Sequence, residues 1–237
     1  MIKPQRVNYQ RNSSANVTIS ADTVPVENHY EEIMCRKIAE NTLHVEPYDR
    51  RLFLNLIMMV LQNYCSRACI VDWGAGTGAQ AQILLHKWSP VIEQILLVEQ
   101  PKIVESLKKS YSDSRMTFCN SEDFVPSPCD LFMAHGSLSY SEKPLTLLGQ
   151  ALSTAKVVAI SRFLVSADID HPLQIRDPKG DHVEIVSPEK SLINQAKNSG
   201  RKIFIYEKSS MPAHKQCVQD QTGRVIQLQN VSLILGK

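Results

Sequence analysis

The chain has 237 residues, of which 26 are basic and 24 acidic, so its formal net charge is +2 at pH 7. This length suits one α/β core with attachments and is short for two full domains. The charges are scattered along the sequence and neither sign dominates. Composition therefore argues against nucleic acid or another polyanion as the partner.

The cysteines and the apolar segments indicate the compartment. The six cysteines form no C-x-x-C pair, and we interpret them as reduced thiols of buried segments rather than as a zinc site. The N-terminal residues lack the apolar stretch of a secretory signal. The segment LFLNLIMMVL is too short, and too interrupted by Asn55, to span a bilayer. These features predict a cytoplasmic protein with no membrane partner.

The first part of the chain precedes any strand pattern. Residues 1–25 are polar and have no apolar period, which predicts a flexible tail. Two helical segments follow within 26–66, EEIMCRKIAE and YDRRLFLNLIMMVLQNYC, with a turn around Pro47. The second is apolar on more than one face. We expect the two helices to form a cap in front of the main domain, 67–237.

From Cys69 onward, short apolar runs alternate with helical segments. The expected strands are 69–73, 94–99, 116–119, 130–134 and 156–163, with helices near 79–88, 101–110 and 143–154. After an irregular or hairpin insertion over 166–186, we expect a helix at 188–198 and two final strands, 202–206 and 231–235. This order predicts an α/β, Rossmann-like, doubly wound sheet of seven strands, mostly parallel, with a C-terminal antiparallel hairpin.

The stretch CIVDWGAGTG joins the first of these strands to a helix. Gly74, Gly76 and Gly78 predict a turn whose backbone N–H groups can approach a ligand closely, at the start of a helix. Glu99 ends the next strand, where a carboxylate can accept both hydroxyl protons of a ribose. The segment from Ile70 to Glu99 therefore predicts a bound ribonucleoside.

The segment from Cys69 to Phe163 resembles the core of class I S-adenosylmethionine-dependent methyltransferases, in which an acidic residue precedes the Gly-rich turn. The resemblance implies that the turn holds the methionine part of S-adenosyl-L-methionine and that Glu99 holds the ribose. It also implies that a residue after the third strand caps the adenine. The cofactor-binding residues predicted are Asp72, Gly74, Ala75, Gly76, Gly78, Glu99, Gln100, Ser121, Glu122, Asp123 and His135.

A narrower resemblance concerns LLVEQPKIVE, DLFMAHGSLSY and AISRF. These motifs are similar to a family of bacterial methyltransferases associated with surface-polysaccharide genes. They cover the middle of the chain, whereas the tail, the cap and the residues after Phe163 normally select the substrate. The resemblance therefore leaves the acceptor open, and our hypothesis is the O-methylation of a small polar acceptor such as a sugar or a related metabolite.

Several side chains are candidates for chemistry at the acceptor. His135 follows the fourth strand, where a neutral imidazole can take a proton from a hydroxyl as the methyl group arrives. Tyr140 and Arg162 follow presumed strand ends and can orient an acceptor, although Arg162 can equally pair with a carboxylate. The insertion 166–186 is rich in His and Asp, but its irregular spacing favours a solvated loop, and we predict no metal.

Two other functions remain open at this stage. Gly74, Gly76 and Ala79 also satisfy G-x-G-x-x-A, which would suit an NAD-dependent dehydrogenase, although Asp72 and the terminal hairpin favour the methyltransferase. A degenerate fold that binds a nucleoside or a partner without chemistry is the second alternative. The sequence makes no prediction about the oligomeric state.

Overall fold

The computed structural model describes residues 5–8, 29–40, 48–176, 183–210, 217–219 and 222–237. The helices in these ranges are α1 (His29–Ala39), α2 (Tyr48–Leu61), α3 (Ala79–Lys87), α4 (Pro101–Ser110), α5 (Pro144–Thr154) and α6 (Glu189–Asn198), with a short 3-10 helix at Leu138–Tyr140. The strands are β1 (Gln5–Asn8), β2 (Ala68–Trp73), β3 (Ile92–Glu99), β4 (Met116–Asn120), β5 (Cys129–His135), β6 (Ala155–Ser166), β7 (Leu173–Arg176), β8 (Val183–Pro188), β9 (Lys202–Ser210), β10 (Cys217–Gln219), β11 (Val225–Gln227) and β12 (Gln229–Gly236).

The central sheet has the strand order β4-β3-β2-β5-β6-β12-β9. Strands β2 to β6 run parallel, and β12 lies antiparallel between β6 and β9. The expected seven-stranded, Rossmann-like sheet with an antiparallel end is therefore confirmed. The chain winds outward from β2 to β4 and then returns to β5 beside β2. That reversal opens a crevice at the carboxyl ends of β2 and β5, where ligands bind in sheets of this type.

Helix α2 belongs to the core. Leu54, Ile57, Met58 and Leu61 recur at helical spacing, are all buried, and pack in one cluster with side chains of the central strands. Burying each such side chain contributes roughly 1.5–3 kcal/mol. Helices α3 and α4 contribute to the same cluster, whereas α5 and α6 pack in a second one. The second helix of the expected cap is thus part of the main hydrophobic core.

Helix α1 is attached differently, by its contact with α4. The Lys102 Nζ lies 2.9 Å from the Glu31 Oε2, and the Glu31 carboxylate is buried while the lysine is exposed. Ile38 is the one α1 residue in the buried core cluster, and other α1 side chains face the crevice. Helix α1 therefore lies beside the crevice, and its role as a cap stays a prediction.

Two parts of the chain contain strands that the sequence did not predict, and the insertion takes the hairpin form, one of its two expected alternatives. Gln5–Asn8, expected in the tail, forms β1 and pairs parallel with β7. The insertion is a β7–β8 antiparallel hairpin, and β8 joins the end of β6 through two residue pairs. A further hairpin, β10–β11, precedes β12. Strands of three or four residues such as β1, β7, β10 and β11 carry too little alternation to stand out from loop sequence.

The structure also shows the state of the six cysteines and the reason for a glycine inside helix α5. All six cysteines are free, as predicted, but each is half-buried rather than in the core. Helix α5 continues through Gly149, where an added Cβ would lie 2.6 Å from the Gln195 Nε2. That amide donates to the Leu145 carbonyl at 2.8 Å, so the glycine allows α6 to approach α5. No helix in the described ranges is long and apolar enough to cross a membrane.

Candidate functional site

A cavity of about 410 Å³ lies in the crevice at the carboxyl ends of the central strands. It is lined by the turn between β2 and α3, by the ends of β3 and β5, by Arg162 inside β6, and by one side of α1. Seven of the predicted site residues line it: Gly74, Ala75, Gly76, Glu99, Gln100, Ser121 and His135.

Gly74 brings the turn after β2 against the loop after β5. Its φ is +67°, and an added Cβ would overlap the Ser137 Cβ. The Ser137 Oγ in turn donates a hydrogen bond to the Trp73 carbonyl at 2.5 Å. No side chain fits at Gly74 because the two loops are in direct contact.

Gly76 faces the open cavity and contacts the carboxylate of Glu99. The Gly76 N–H donates to the Glu99 Oε2 at 2.8 Å, and the Gln100 N–H donates to the Oε1 at 2.9 Å. A Cβ on Gly76, whose φ is +56°, would have the Tyr30 Oη at 3.8 Å as its nearest neighbour. The two backbone amides fix the carboxylate and leave lone pairs on both oxygens for further donors.

Burial sets the electrostatics of this carboxylate. Glu99 is 5% exposed, and burial raises its pKa, while the N–H groups of Gln100 and Gly76 oppose that shift by stabilising the charged form. The Tyr30 Oη lies 3.5 Å from the Glu99 Oε2. Burial, together with the neighbouring Glu99 charge, raises the pKa of Tyr30, so that its phenol remains a hydrogen-bond donor at neutral pH.

The other four predicted residues do not line the cavity. Asp72 is buried in β2 immediately before the turn. Gly78 precedes α3 and packs against the aromatic ring that follows α4. Glu122 is exposed, and the Asp123 Oδ2 accepts a hydrogen bond from the Asn120 side chain at 2.9 Å. The roles of these four residues toward a cofactor stay predictions.

Trp73, the last residue of β2, is half-buried and lines the cavity. Its ring centroid lies 5.3 Å from that of Phe124. Because side chains alternate along a strand, Asp72 and Trp73 point to opposite faces of the sheet. This alternation accounts for the aromatic ring, rather than the acid, reaching the cavity.

His135 ends β5 and is held from two sides. In the parallel register its partner on β6 is Ser161, and the Ser161 Oγ is hydrogen-bonded to the His135 Nδ1. On another side the ring of Phe53, from α2, lies 6.3 Å away between centroids and is tilted by 42°. The imidazole is thus oriented at the cavity wall by a hydroxyl and an aromatic ring.

Arg162 lies inside β6, not after its end as expected, because the strand continues to Ser166. The register between β12 and β6 shifts here, and β6 contains one extra residue, which is a β-bulge. Arg162 has a φ of 53°, the single positive value at a non-glycine among the described residues. Its guanidinium packs over Gly136 and lines the cavity.

Tyr140, in the 3-10 helix, lines the cavity and contacts the insertion. The Tyr140 Oη donates to the Glu184 Oε1 at 2.6 Å, which joins the 3-10 helix to β8. Burial raises the pKa of Tyr140, and the charge of Glu184 raises it further. The phenol therefore stays protonated and keeps this contact at neutral pH.

Sequence reasoning missed several residues of the site. Helix α1 was expected as a cap, but its spacing did not show which side chains would face the cavity. Ser161 was detectable in principle, because aligning the apolar runs of the fourth and fifth strands places it beside His135. The missed residues are Tyr30, Met34, Lys37, Thr77, Gln80, Ser137, Ser141, Ser161 and Glu184.

The His- and Asp-rich insertion was considered for a metal. Part of it, 177–182, lies outside the described residues. Among the residues that are described, no group of three or more His, Cys, Asp or Glu is placed to hold a metal ion. The Asp168 Oδ2 instead accepts the Gln227 N–H at 2.8 Å.

Comparison with solved structures identifies the fold. The N-terminal domain of EvdMO1 with S-adenosylhomocysteine bound is 13% identical, with a TM-score of 0.54, over 78% of this chain and 80% of that chain. The 1,6-didemethyltoxoflavin-N1-methyltransferase of Burkholderia thailandensis, with its substrate and S-adenosylhomocysteine, is 12% identical, with a TM-score of 0.52, over 98% and 99%. The [4+2]-cyclase SpnF is 16% identical, with a TM-score of 0.53, over 92% and 99%.

These similarities define the architecture as the Rossmann-like fold of class I methyltransferases. At such low identity they show the fold alone, and the cyclase demonstrates that one fold can carry a different reaction. No protein-family model and no curated protein matches the sequence. The function therefore has to be argued from the site.

Proposed function

We propose that the protein transfers a methyl group from S-adenosyl-L-methionine to a small polar acceptor, with O-methylation of a sugar or related metabolite as the reaction. The observation that carries this proposal is the contact between Gly76 and Glu99. A buried carboxylate, fixed by two backbone amides, stands at the cavity beside a glycine that leaves room for a ligand. The S-adenosylhomocysteine bound by EvdMO1 and by the Burkholderia enzyme supports the choice of cofactor.

The residues of this half of the cavity fit the proposed cofactor. The two Glu99 oxygens retain lone pairs that suit the hydroxyls of a ribose. Ser121, which follows β4 and lines the cavity, would stand on the adenine side. The turn at Gly74 and Ala75 would hold the methionine part. The cofactor supplies an electrophilic methyl group together with its own leaving group, so the protein mainly aligns the reactants and excludes water.

His135 would act as the base for a hydroxyl acceptor. Its contact with Ser161 can be made by either tautomer of the ring. When the Nδ1–H donates to the Ser161 Oγ, the Nε2 keeps the lone pair needed to accept the hydroxyl proton. Ser161 would then be a positioning residue, because it orients the imidazole without touching the acceptor.

The test is calorimetric titration with S-adenosylmethionine, S-adenosylhomocysteine and NAD. We expect micromolar binding of the two sulfur nucleosides, a loss of at least tenfold in Glu99→Ala, and no binding of NAD. Glu93→Ala is the matched control, because Glu93 lies on the same strand at its exposed amino end. Failure of the wild-type protein to bind either nucleoside would contradict the proposal, and binding of NAD instead would restore the dehydrogenase.

The non-catalytic alternative has to be tested separately, since SpnF shows that this fold is not confined to methyl transfer. Formation of S-adenosylhomocysteine in proportion to added acceptor, across neutral sugars, uronates and sugar phosphates, would exclude it. Tight cofactor binding with no turnover on any of them would favour it. The cytoplasmic location and the surface-polysaccharide association remain predictions from the sequence.

A further inference from the structure

We propose that Arg162 forms an anion-binding subsite on the acceptor side of the cavity, so that the methyl acceptor carries a carboxylate or a phosphate. The inference rests on the proposed function and deepens it by naming the class of acceptor. Three features of Arg162 support the inference: its backbone conformation, the charges around it and the residues next to it.

The backbone at Arg162 is built to aim this side chain. A bulge in β6 interrupts the pairing with β12, and bulges near functional sites commonly redirect one side chain. The φ of 53° is a conformation that costs energy for any residue with a Cβ. Glycine would adopt it without strain, so a bulky arginine at this position indicates that the side chain itself is used.

The charge around Arg162 is not balanced within the described residues. No described carboxylate lies within 4 Å of its guanidinium, and the nearby Glu184 accepts the hydrogen bond of Tyr140 instead. Glu99 is the single carboxylate among the described residues lining the cavity. It ends β3, three strands from β6, which at roughly 4.8 Å per strand places the two about 14 Å apart.

The proposed cofactor makes this imbalance larger. S-adenosylmethionine brings a sulfonium into a cavity that already contains a guanidinium, and two positive charges repel each other in a partly desolvated site. An anionic acceptor lying between them would remove the repulsion. The planar guanidinium presents paired donors that match a carboxylate or a phosphate in two-point contact.

The position of Arg162 also relates the anion to the base. The guanidinium packs over Gly136, the residue that follows His135. An acid group bound there would hold a hydroxyl a few bonds away near the imidazole. The acceptor class that fits is therefore a hydroxy acid of sugar type or a sugar phosphate, not a neutral sugar.

The experiment uses the full chain saturated with S-adenosylhomocysteine and labelled with nitrogen-15. The arginine Nε–H signals are followed while glucuronate, glucose 6-phosphate or glucose is added, and the signal of Arg162 is assigned from its loss in Arg162→Gln. We expect a saturable shift with at least one of the two anions and none with glucose. The two anions separate a carboxylate site from a phosphate site.

Variants extend the test to affinity, measured by calorimetry. Arg162→Gln should lower the affinity for the anion at least tenfold. Arg162→Lys should give an intermediate affinity, because lysine keeps the positive charge but loses the paired donors of the guanidinium. Arg67→Gln is the matched control, since Arg67 is exposed just before β2, at the opposite end of the strands. It should bind the anion as the wild type does.

Each outcome decides the proposal. Absence of a saturable shift with both anions, or an unchanged affinity in Arg162→Gln, would overturn it. Calorimetry with S-adenosylhomocysteine on the same sample separates the two claims: normal cofactor binding without anion binding defeats the subsite alone. The anion titration is repeated without the nucleoside, so that a failure of cofactor binding leaves the subsite fully tested.

Arg162→Gly distinguishes a binding role from a structural one. Glycine suits the left-handed backbone, so its stability to urea should equal or exceed that of the wild type while anion binding is lost. A marked fall in stability, with anion affinity retained, would mean that the side chain serves the fold.

Discussion

The two halves of the cavity are built in different ways. The half proposed for the cofactor comes from one continuous β-α-β segment, in which Gly76 and Glu99 are 23 residues apart and meet through a backbone amide. The half proposed for the acceptor is assembled from separate elements. His135 meets Ser161 across 26 residues, and Tyr140 meets Glu184 across 44 residues.

This difference separates what the backbone determines from what side chains determine. Backbone amides of a tight turn position Glu99. The cofactor half of the cavity therefore depends on whether this turn forms. Side-chain contacts with Ser161 and Phe53 position His135, so its orientation can change without altering the sheet. We therefore expect substitutions in the turn to affect folding or cofactor binding, and substitutions around His135 to affect turnover.

The largest expected effect is on turnover, at His135. Replacing the proposed base by Gln should lower kcat by about 10²- to 10⁴-fold, because positioned general bases contribute in that range. Affinity for S-adenosylhomocysteine should stay within twofold. Steady-state assays with calorimetry on the same variant provide the measurement, and His86→Gln on the exposed side of α3 is the control. A His135→Gln enzyme of normal kcat would remove the imidazole from the mechanism.

Ser161→Ala sharpens this prediction by testing the positioning contact. It should lower kcat less than the histidine variant does, and it should change the pH profile of kcat because the imidazole loses the hydrogen bond at its Nδ1. An unaltered profile would show that the hydroxyl contact has only a structural role.

The next effect distinguishes two glycines of the same turn. Gly74→Ala should destabilise the fold by about 3 kcal/mol, since the new methyl overlaps Ser137 and the backbone is left-handed. Gly76→Ala should cost only about 1 kcal/mol, because its methyl makes only ordinary van der Waals contacts with Tyr30 and Met34, yet cofactor affinity should fall at least tenfold. Urea unfolding and calorimetry measure both. Equal losses of stability would contradict the distinction.

The central sheet was predictable because most of its strands are apolar runs, and helical segments separate the parallel ones. β2 and β5 are buried parallel strands, and β9 and β12 follow a helix near the end of the chain. The shorter strands could not be predicted from the sequence. β1 pairs with β7 over only four residues, and what stabilises that pairing is tertiary context rather than local pattern.

The same contrast between local pattern and tertiary context separates the site residues that could be predicted from those that could not. Gly76 and Glu99 were predictable because a glycine turn after one strand and an acid after the next occupy fixed places in a parallel sheet. The aim of Arg162 was not, because it depends on one extra residue in β6 relative to β12, a register property that no single segment reveals. Side chains from α1 depend likewise on how that helix docks on α4.

A smaller effect concerns the wall formed by the insertion. Tyr140→Phe and Glu184→Ala each remove one partner of a 2.6 Å hydrogen bond. A double-mutant cycle on the free energy of unfolding should give a coupling of about 1 kcal/mol, below the full value for a charged acceptor because Tyr140 is partly exposed. If the two effects simply add, the insertion is not held to the 3-10 helix by this contact.

The smallest effect is a pH dependence at Glu99, which belongs to the backbone-determined half. Burial raises the pKa of this carboxyl in the folded chain above its ordinary value of 4.5. The folded chain therefore binds the proton of Glu99 more tightly than the unfolded chain does. The resulting stability is present below 4.5 and is lost as pH rises through the folded pKa. Comparison of wild type with Glu99→Gln should therefore show a stability difference that moves in favour of the variant between pH 4.5 and pH 8. Urea unfolding at several pH values measures it, with Glu93→Gln as the control. A difference that moves the opposite way would mean that the amides of Gly76 and Gln100 outweigh burial, and that the turn stabilises the charged carboxylate before any ligand arrives.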